Sequence, residues 1–192
     1  KRGYQGTRKQ GLEVVSAAVT ALSKERVVVI GHSMGGVGVL HYGAQLEDNT
    51  VVGLVSIAPG HDPSMSRKFR DLTGKKAAEA CELVASGSGG KMGDYPELNT
   101  GARYSIQASA EFYCSYYSVD EYPATGEIVF DIETPVLWLS AQEDRLTKIY
   151  AHKTNFDGLG ENSRHQYRLL PGNHKSVLFR HIDVIDGWIE GL

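Results

Sequence analysis

Apolar and polar positions follow two periods along this chain, helical and strand-like, and they trade places in sequence. From Lys9 to Lys24, apolar residues fall at Leu12, Val15, Ala18, Val19 and Leu22, one stripe of a helix that Thr7 is placed to cap. Val27-Val28-Val29-Ile30 follows, four β-branched residues in a row, which reads as a strand buried on both faces. The apolar segment Val37 to Tyr42 suits a helix reaching to about Leu46, and Glu47-Asp48-Asn49-Thr50 suits a turn. Val51 to Ala58 is a second strand of the buried type, closed by Pro59-Gly60.

The pattern then weakens. Residues 61 to about 126 hold few strand-like runs. A basic stretch carries Arg67, Lys68 and Arg70, a short helix is predicted over Ala77 to Ala85, and Ser86-Gly87-Ser88-Gly89-Gly90 is a break. A tyrosine-rich helix is predicted from Ser105 to Tyr117. The segment reads as a mostly helical insertion, a cap over a site. Alternation resumes with a strand at Val136 to Ser140, a helix over Thr147 to Phe156, a strand at His165 to Leu170 and a last helix from Val177 to Ile189. The division expected is a core in two parts, 1–60 and 131–192, interrupted by a cap at 61–130.

Strands alternating with helices imply right-handed crossovers and a mostly parallel sheet. Ligands of such sheets bind outside the carboxyl ends of the strands. Composition narrows the reading further. With 192 residues and 41% apolar content the chain suits one domain with an inserted subdomain. A net charge of −3 gives no electrostatic footprint for nucleic acid. No window holds the roughly 18 apolar residues of a membrane span. Cys81 and Cys114 match no metal spacing. Two free thiols are expected, because a disulfide would need an oxidising compartment and nothing else in the sequence argues for one.

The chemistry sits where the first strand ends. Gly31-His32-Ser33-Met34-Gly35 is a Gly-x-Ser-x-Gly motif between a strand and a helix, and that context makes Ser33 a candidate nucleophile on a tight turn. The flanking glycines are expected because bulkier residues would collide with the adjacent strand and helix. Met34 N–H, at the start of the next helix, is a candidate oxyanion donor. A serine hydroxyl needs a base, and the base needs an orienting acid. Asp144 and His174 each follow directly after a predicted strand, so all three should meet at one sheet edge.

Together these residues make the chain resemble the α/β-hydrolase superfamily, in its serine-hydrolase branch. Gly-His-Ser-Met-Gly-Gly is similar to its nucleophile turn, Ala-Gln-Glu-Asp144-Arg-Leu-Thr to its acid loop, and Pro-Gly-Asn-His174 to its histidine loop. Ala141 stands where glycine is more usual. Arg2-Gly3-Tyr4-Gln5-Gly6-Thr7 is similar to the loop before the family's preceding helix, with Gln5 and Gly6 off register. The resemblance implies an esterase-, lipase- or thioesterase-type activity on a small-molecule ester, through an acyl-enzyme on Ser33 with His174 as base and Asp144 as acid. It implies neither metal nor organic cofactor. The four core strands resemble the family's strands five to eight. Strands one to four, with the loop that supplies the second oxyanion amide, are expected on about 80 to 130 further N-terminal residues, the missing part of the same fold.

Rivals remain at each position. Glu143 and Asp131 compete with Asp144. His152, His165 and His181 sit inside predicted elements, from which the sheet edge is hard to reach. His32 reads as a structural residue of the turn, and His61, just after the second strand, as a candidate for lining the site. Phe112 and Tyr116 are candidates for substrate contact from the cap, and Arg67, Lys68 and Arg70 read as a solvated face. The alternatives to an ester hydrolase are a non-catalytic binding or scaffold protein of the same fold and a serine-dependent perhydrolase or acyltransferase.

Overall fold

The computed structural model describes residues 3–45, 49–62, 66–99 and 102–192. Arg2, Leu46 and the turn residues Glu47 and Asp48 lie outside that set. In chain order the elements are α1 (Arg8–Leu22), β1 (Val27–His32), α2 (Met34–Gly43), β2 (Val51–Ile57), α3 (Arg67–Ala85), β3 (Met92–Asn99), β4 (Ala102–Ser109) and α4 (Ala110–Tyr117). There follow α5 (Thr125–Ile128), a short 3-10 turn (Val129–Asp131), β5 (Val136–Ala141), α6 (Arg145–Ile149), α7 (His152–Phe156), β6 (Gln166–Leu170), α8 (Ser176–Arg180) and α9 (Ile182–Glu190). The chain divides into two compact units, Lys1–Ala17 with Asp62–Ala124 and Ala18–His61 with Thr125–Leu192.

The second of these units holds the four-stranded sheet, in the order β1-β2-β5-β6. All three pairings are parallel, with Val55 opposite Leu137 and Leu137 opposite Gln166. Because side chains alternate along a strand, Val55, Ile57, Leu137 and Leu139 share one face and pack with Val177, Ile185 and Trp188 of α8 and α9. Each such buried side chain contributes about 1.5–3 kcal/mol. Gly53 lies on that face for a steric reason, since a Cβ there would meet the Trp188 ring at 2.9 Å. The opposite face carries Leu54 and Ser56 against α2, where Ser56 Oγ–H donates to the Gly36 carbonyl at 3.1 Å.

β1 is less buried than its run of β-branched residues predicts. Its six residues are only partly covered, and Ile30 is 49% exposed. Four β-branched residues in a row describe a strand buried on both faces, but among the described residues β1 forms an edge of this sheet, paired with β2 on one side. The predicted helix over Thr147 to Phe156 also divides, into α6 and α7. Ala151 between them takes a left-handed conformation at φ 44°, which ends one helical turn and restarts the next.

The other unit contains the largest departure. The segment expected as a mostly helical insertion is not purely helical, because β3 and β4 form an antiparallel hairpin with Pro96 opposite Ser105. Two features hide β3 in the sequence. A proline is uncommon inside a strand, and the inward position after Tyr95 is a carboxylate, Glu97. Glu97 is buried and accepts the hydroxyl proton of Tyr117, while Tyr113 donates to the Pro96 carbonyl at 2.6 Å. Burial first, then the Glu97 charge, push the Tyr117 pKa up, so this hydroxyl stays a donor. The helix predicted from Ser105 therefore begins only at Ala110, and Ser109 caps it by accepting the Phe112 amide. α3 begins at Arg67, ten residues earlier than the predicted Ala77, with Ser66 as its cap. α1 begins in this unit behind a reciprocal cap, in which Gln10 N–H donates to Thr7 Oγ1 and Thr7 N–H to Gln10 Oε1.

The expectation of free thiols is corrected here as well. Cys81 on α3 and Cys114 on α4 form a disulfide. Their separation of 33 residues carries no signal in sequence, because only the packing of the two helices brings the thiols together.

Candidate active site

The candidate nucleophile stands on a strained turn between β1 and α2. Ser33 has φ 57° and ψ −120°, a region that costs a non-glycine residue about 1–3 kcal/mol. The main chain around it is held on both sides. Ser33 N–H donates to the Ile57 carbonyl at 2.9 Å, and the Ser33 carbonyl accepts from Gly36 at 2.9 Å and from Gly60 at 3.2 Å. Gly31 has no alternative, since a Cβ there would lie 2.0 Å from the Gly35 carbonyl oxygen. Gly36 is tight, with a Cβ at 3.1 Å from the Ile57 carbonyl oxygen. The steric argument fails for Gly35, where a Cβ would meet nothing within 4 Å.

Three of the predicted residues meet at this turn. His174 Nε2 lies 2.9 Å from Ser33 Oγ, and His174 Nδ1 lies 2.7 Å from Asp144 Oδ2. A carboxylate only accepts, so Nδ1 carries the ring proton and donates to Asp144. Nε2 is then free to accept the Ser33 hydroxyl proton. Asp144 caps α6, its Oδ1 accepting the Leu146 amide at 2.9 Å. Burial opposes the Asp144 charge, but the bonds from His174 and Leu146 outweigh it and hold the carboxyl below its usual pKa. His174 is itself held from behind. His32 Nε2–H donates to the His174 carbonyl at 2.7 Å, with the two rings 4.8 Å apart. Burial, opposed by that bond, lowers the His32 pKa.

The rivals are placed elsewhere. Glu143 and Asp131 are exposed. His165 Nδ1 accepts the Val136 amide at 3.0 Å, and His181 Nε2–H donates to the Pro171 carbonyl at 2.9 Å. His61 follows β2 in a left-handed conformation at φ 67°. Met34 opens α2, directly after Ser33. Phe112 and Tyr116 belong to the other unit, where their rings stack 4.5 Å apart and Phe112 also stacks on Tyr4. No group of three or more metal-ligating side chains occurs among the described residues, and no helix there is long and apolar enough to cross a membrane.

Two features beside Ser33 escape the sequence. Gly60, which reads only as a strand terminator, lies close to Ser33. A Cβ there would lie 3.0 Å from Leu146 Cδ1, 3.8 Å from Ser33 Oγ and 3.9 Å from Tyr150 Cε2, so all three side chains lie around this glycine. The second feature is His152, buried behind the same loop.

Known proteins share this architecture. The family model described as serine aminopeptidase, S33, matches residues 10–100. The fold is similar to a monoacylglycerol lipase of Paleococcus ferrophilus, at TM-score 0.72 and 17% identity over 99% of this chain and 77% of that one. It is also similar to the α/β hydrolase GrgF of Penicillium sp. sh18, at 0.68 and 16% over 95% and 70%. A thioesterase domain from the curacin biosynthetic pathway matches at 0.61 and 9% over 96% and 73%. No curated protein matches the chain by sequence. The parallel sheet and the serine turn between β1 and α2 give this chain a fold similar to that of the α/β hydrolases.

Proposed function

We propose that the chain is a serine hydrolase that cleaves a carboxylic ester or thioester through an acyl-enzyme. The observation that carries this reading is the unbroken hydrogen-bonded series from Ser33 Oγ through His174 to Asp144. As Ser33 Oγ attacks the acyl carbon, its proton passes to His174 Nε2, and the carbonyl oxygen gains negative charge that the Met34 amide receives. Collapse breaks the bond to the alcohol or thiol, which leaves with the proton from His174. Water then attacks the acyl carbon while giving a proton to His174, and the bond to Ser33 Oγ breaks as that proton passes to Ser33 Oγ, which releases the acid and restores the hydroxyl. Asp144 keeps the ring oriented and offsets its positive charge in both halves. The strained Ser33 backbone is consistent with a residue held for chemistry rather than for stability. The lipase and thioesterase domain among the structural neighbours support an acyl substrate.

The test combines labelling and turnover. Wild-type protein should react with a fluorophosphonate probe and hydrolyse nitrophenyl esters in a chain-length-dependent way, and Ser33→Ala should do neither. Labelling that survives in Ser33→Ala would refute the assignment of the nucleophile.

A further inference from the structure

His152 is the first residue of α7 and is 1% exposed. Nothing in the reaction proposed above uses it, yet both of its ring nitrogens are engaged. Nε2 lies 2.8 Å from the Pro59 carbonyl oxygen, and Nδ1 lies 2.8 Å from Ser140 Oγ on β5. A carbonyl oxygen only accepts, so Nε2 must carry the proton, and Nδ1, left bare, must accept from the Ser140 hydroxyl. One neutral tautomer satisfies both bonds, and the other tautomer does not.

The loop that His152 grips is the one on which the nucleophile rests. Ala58 and His61 are both left-handed, at φ 43° and 67°, a conformation that side chains disfavour. Between them Gly60 N–H donates to the Ser33 carbonyl, and just before them Ile57 O accepts the Ser33 amide. The loop is therefore strained and bonded to the main chain of Ser33 from both sides. The Ala58 N–H bond to Leu139 O at 2.7 Å and the His152 bond to Pro59 O tie it to the core.

We propose that His152 is a positioning residue for the nucleophile. Its Nε2–H clamps Pro59, the clamp holds the Ala58–His61 loop in its strained form, and the loop fixes Ser33 Oγ against His174. The inference rests on the serine-hydrolase reading, because it concerns the rate at which Ser33 is acylated. Without the clamp the loop relaxes toward ordinary φ values, Gly60 withdraws from the Ser33 carbonyl, and the hydroxyl drifts from the base.

Two substitutions separate this from a purely structural role. The amide of His152→Gln reaches the place of Nε2 and can donate to Pro59. The amide of His152→Asn reaches only the place of Nδ1 and cannot. Both bury a polar amide, so both lower the melting temperature. If His152 positions the nucleophile, His152→Asn loses about 10- to 100-fold in kcat with KM little changed, the cost of a small misplacement, and His152→Gln recovers most of that loss. Equal kcat in the two variants, per active site titrated and measured well below each melting point, would overturn the proposal. The clamp has a readout that needs no activity. Nitrogen-15 NMR of the wild-type ring should show a protonated Nε2 and a bare Nδ1 from pH 7 down to pH 5, and an imidazolium at pH 6 would also overturn it. Failure of the underlying reading looks different, since wild-type protein would then not label at Ser33 at all.

Discussion

Replacing Asp144 by asparagine changes few atoms and reverses the chemistry of the site. The geometry says which way the new amide must turn. Oδ1 accepts the Leu146 amide at 2.9 Å and Oδ2 accepts His174 Nδ1–H at 2.7 Å. Asparagine has one acceptor and one donor to offer these two N–H groups. If its oxygen keeps Leu146, its NH2 faces His174 Nδ1, which must give up its proton; the proton moves to Nε2, and Nε2 can no longer accept from Ser33. If the amide flips, its NH2 faces the Leu146 N–H, a lost bond with an orphaned donor that costs about 1–3 kcal/mol. Even then no charge remains to offset the imidazolium that forms during acylation. Both outcomes slow the chemistry, and the expected loss is about 10³–10⁴, the scale for neutralising the acid of a serine triad, or about 4–5.5 kcal/mol at 1.36 kcal/mol per decade. The assay is the second-order rate of fluorophosphonate labelling at pH 7.5, followed from seconds to hours, with Ser33→Ala as blank. Because the substituted side chain can still cap α6 through its amide oxygen, the melting temperature should fall by only a few degrees. A labelling rate within tenfold of wild type would refute the argument, for it would mean that another group orients His174.

Three further outcomes follow from the same geometry. Opening the Cys81–Cys114 loop of 33 residues, by reduction or with Cys81→Ala and Cys114→Ala together, should remove about 3–4 kcal/mol of stability from the unit that holds α3 and α4; a urea midpoint unmoved by reductant would contradict this. Gly31→Ala puts a Cβ 2.0 Å from the Gly35 carbonyl oxygen and should cost more than about 3 kcal/mol, whereas Gly35→Ala meets nothing within 4 Å and should be neutral or stabilising by about 0.5–1 kcal/mol as a helix residue; thermal melts showing equal effects would sink the distinction. Burial lowers the His152 pKa from 6.5 to about 4, opposed by its bond to Pro59 and by the Asp144 charge, and lowered slightly further by His174. Between those values the unfolded chain binds the extra proton, so stability present above pH 6.5 should fall by about 2–4 kcal/mol as pH drops toward 4, and His152→Gln should flatten that part of the curve of unfolding free energy against pH.

Much of the core was legible because its signals are local. The run Val27–Ile30 ending at Gly31-His32-Ser33 marks both a strand and a turn, and Asp144 and His174 sit where strands give way to polar loops. The burial of β1 was not legible, since whether a β-branched strand is central or at an edge depends on neighbours far away in sequence. The hairpin of β3 and β4 was hidden by Pro96 and Glu97, two residues that oppose a buried strand until Tyr117 and Tyr113 arrive from α4 to satisfy the Glu97 carboxylate and the Pro96 carbonyl. The disulfide was hidden for the same reason, because it depends on packing between α3 and α4 that no local pattern encodes.

The site divides along the same line, and the division carries a mechanistic point. Ser33, Asp144 and His174 announce themselves because each needs a turn chemistry visible in a few residues. Their supports do not. His152 reads as an interior helical residue until Ala151, at φ 44°, breaks that helix and sets the imidazole at the head of α7, between Ser140 and Pro59. The strained loop that it grips bonds Ser33 from both sides. A turn strained by about 1–3 kcal/mol at Ser33, leaning on a loop with two further left-handed residues, would relax unless something over-determined it. In this fold that something is a set of buried hydrogen bonds to main-chain carbonyls and amides, each net worth about 0.5–1.5 kcal/mol. Those carbonyls have no side-chain signature. The groups proposed for the chemistry are thus the ones that stand out in the sequence, and the groups proposed to keep them in register are readable only once the chain is folded.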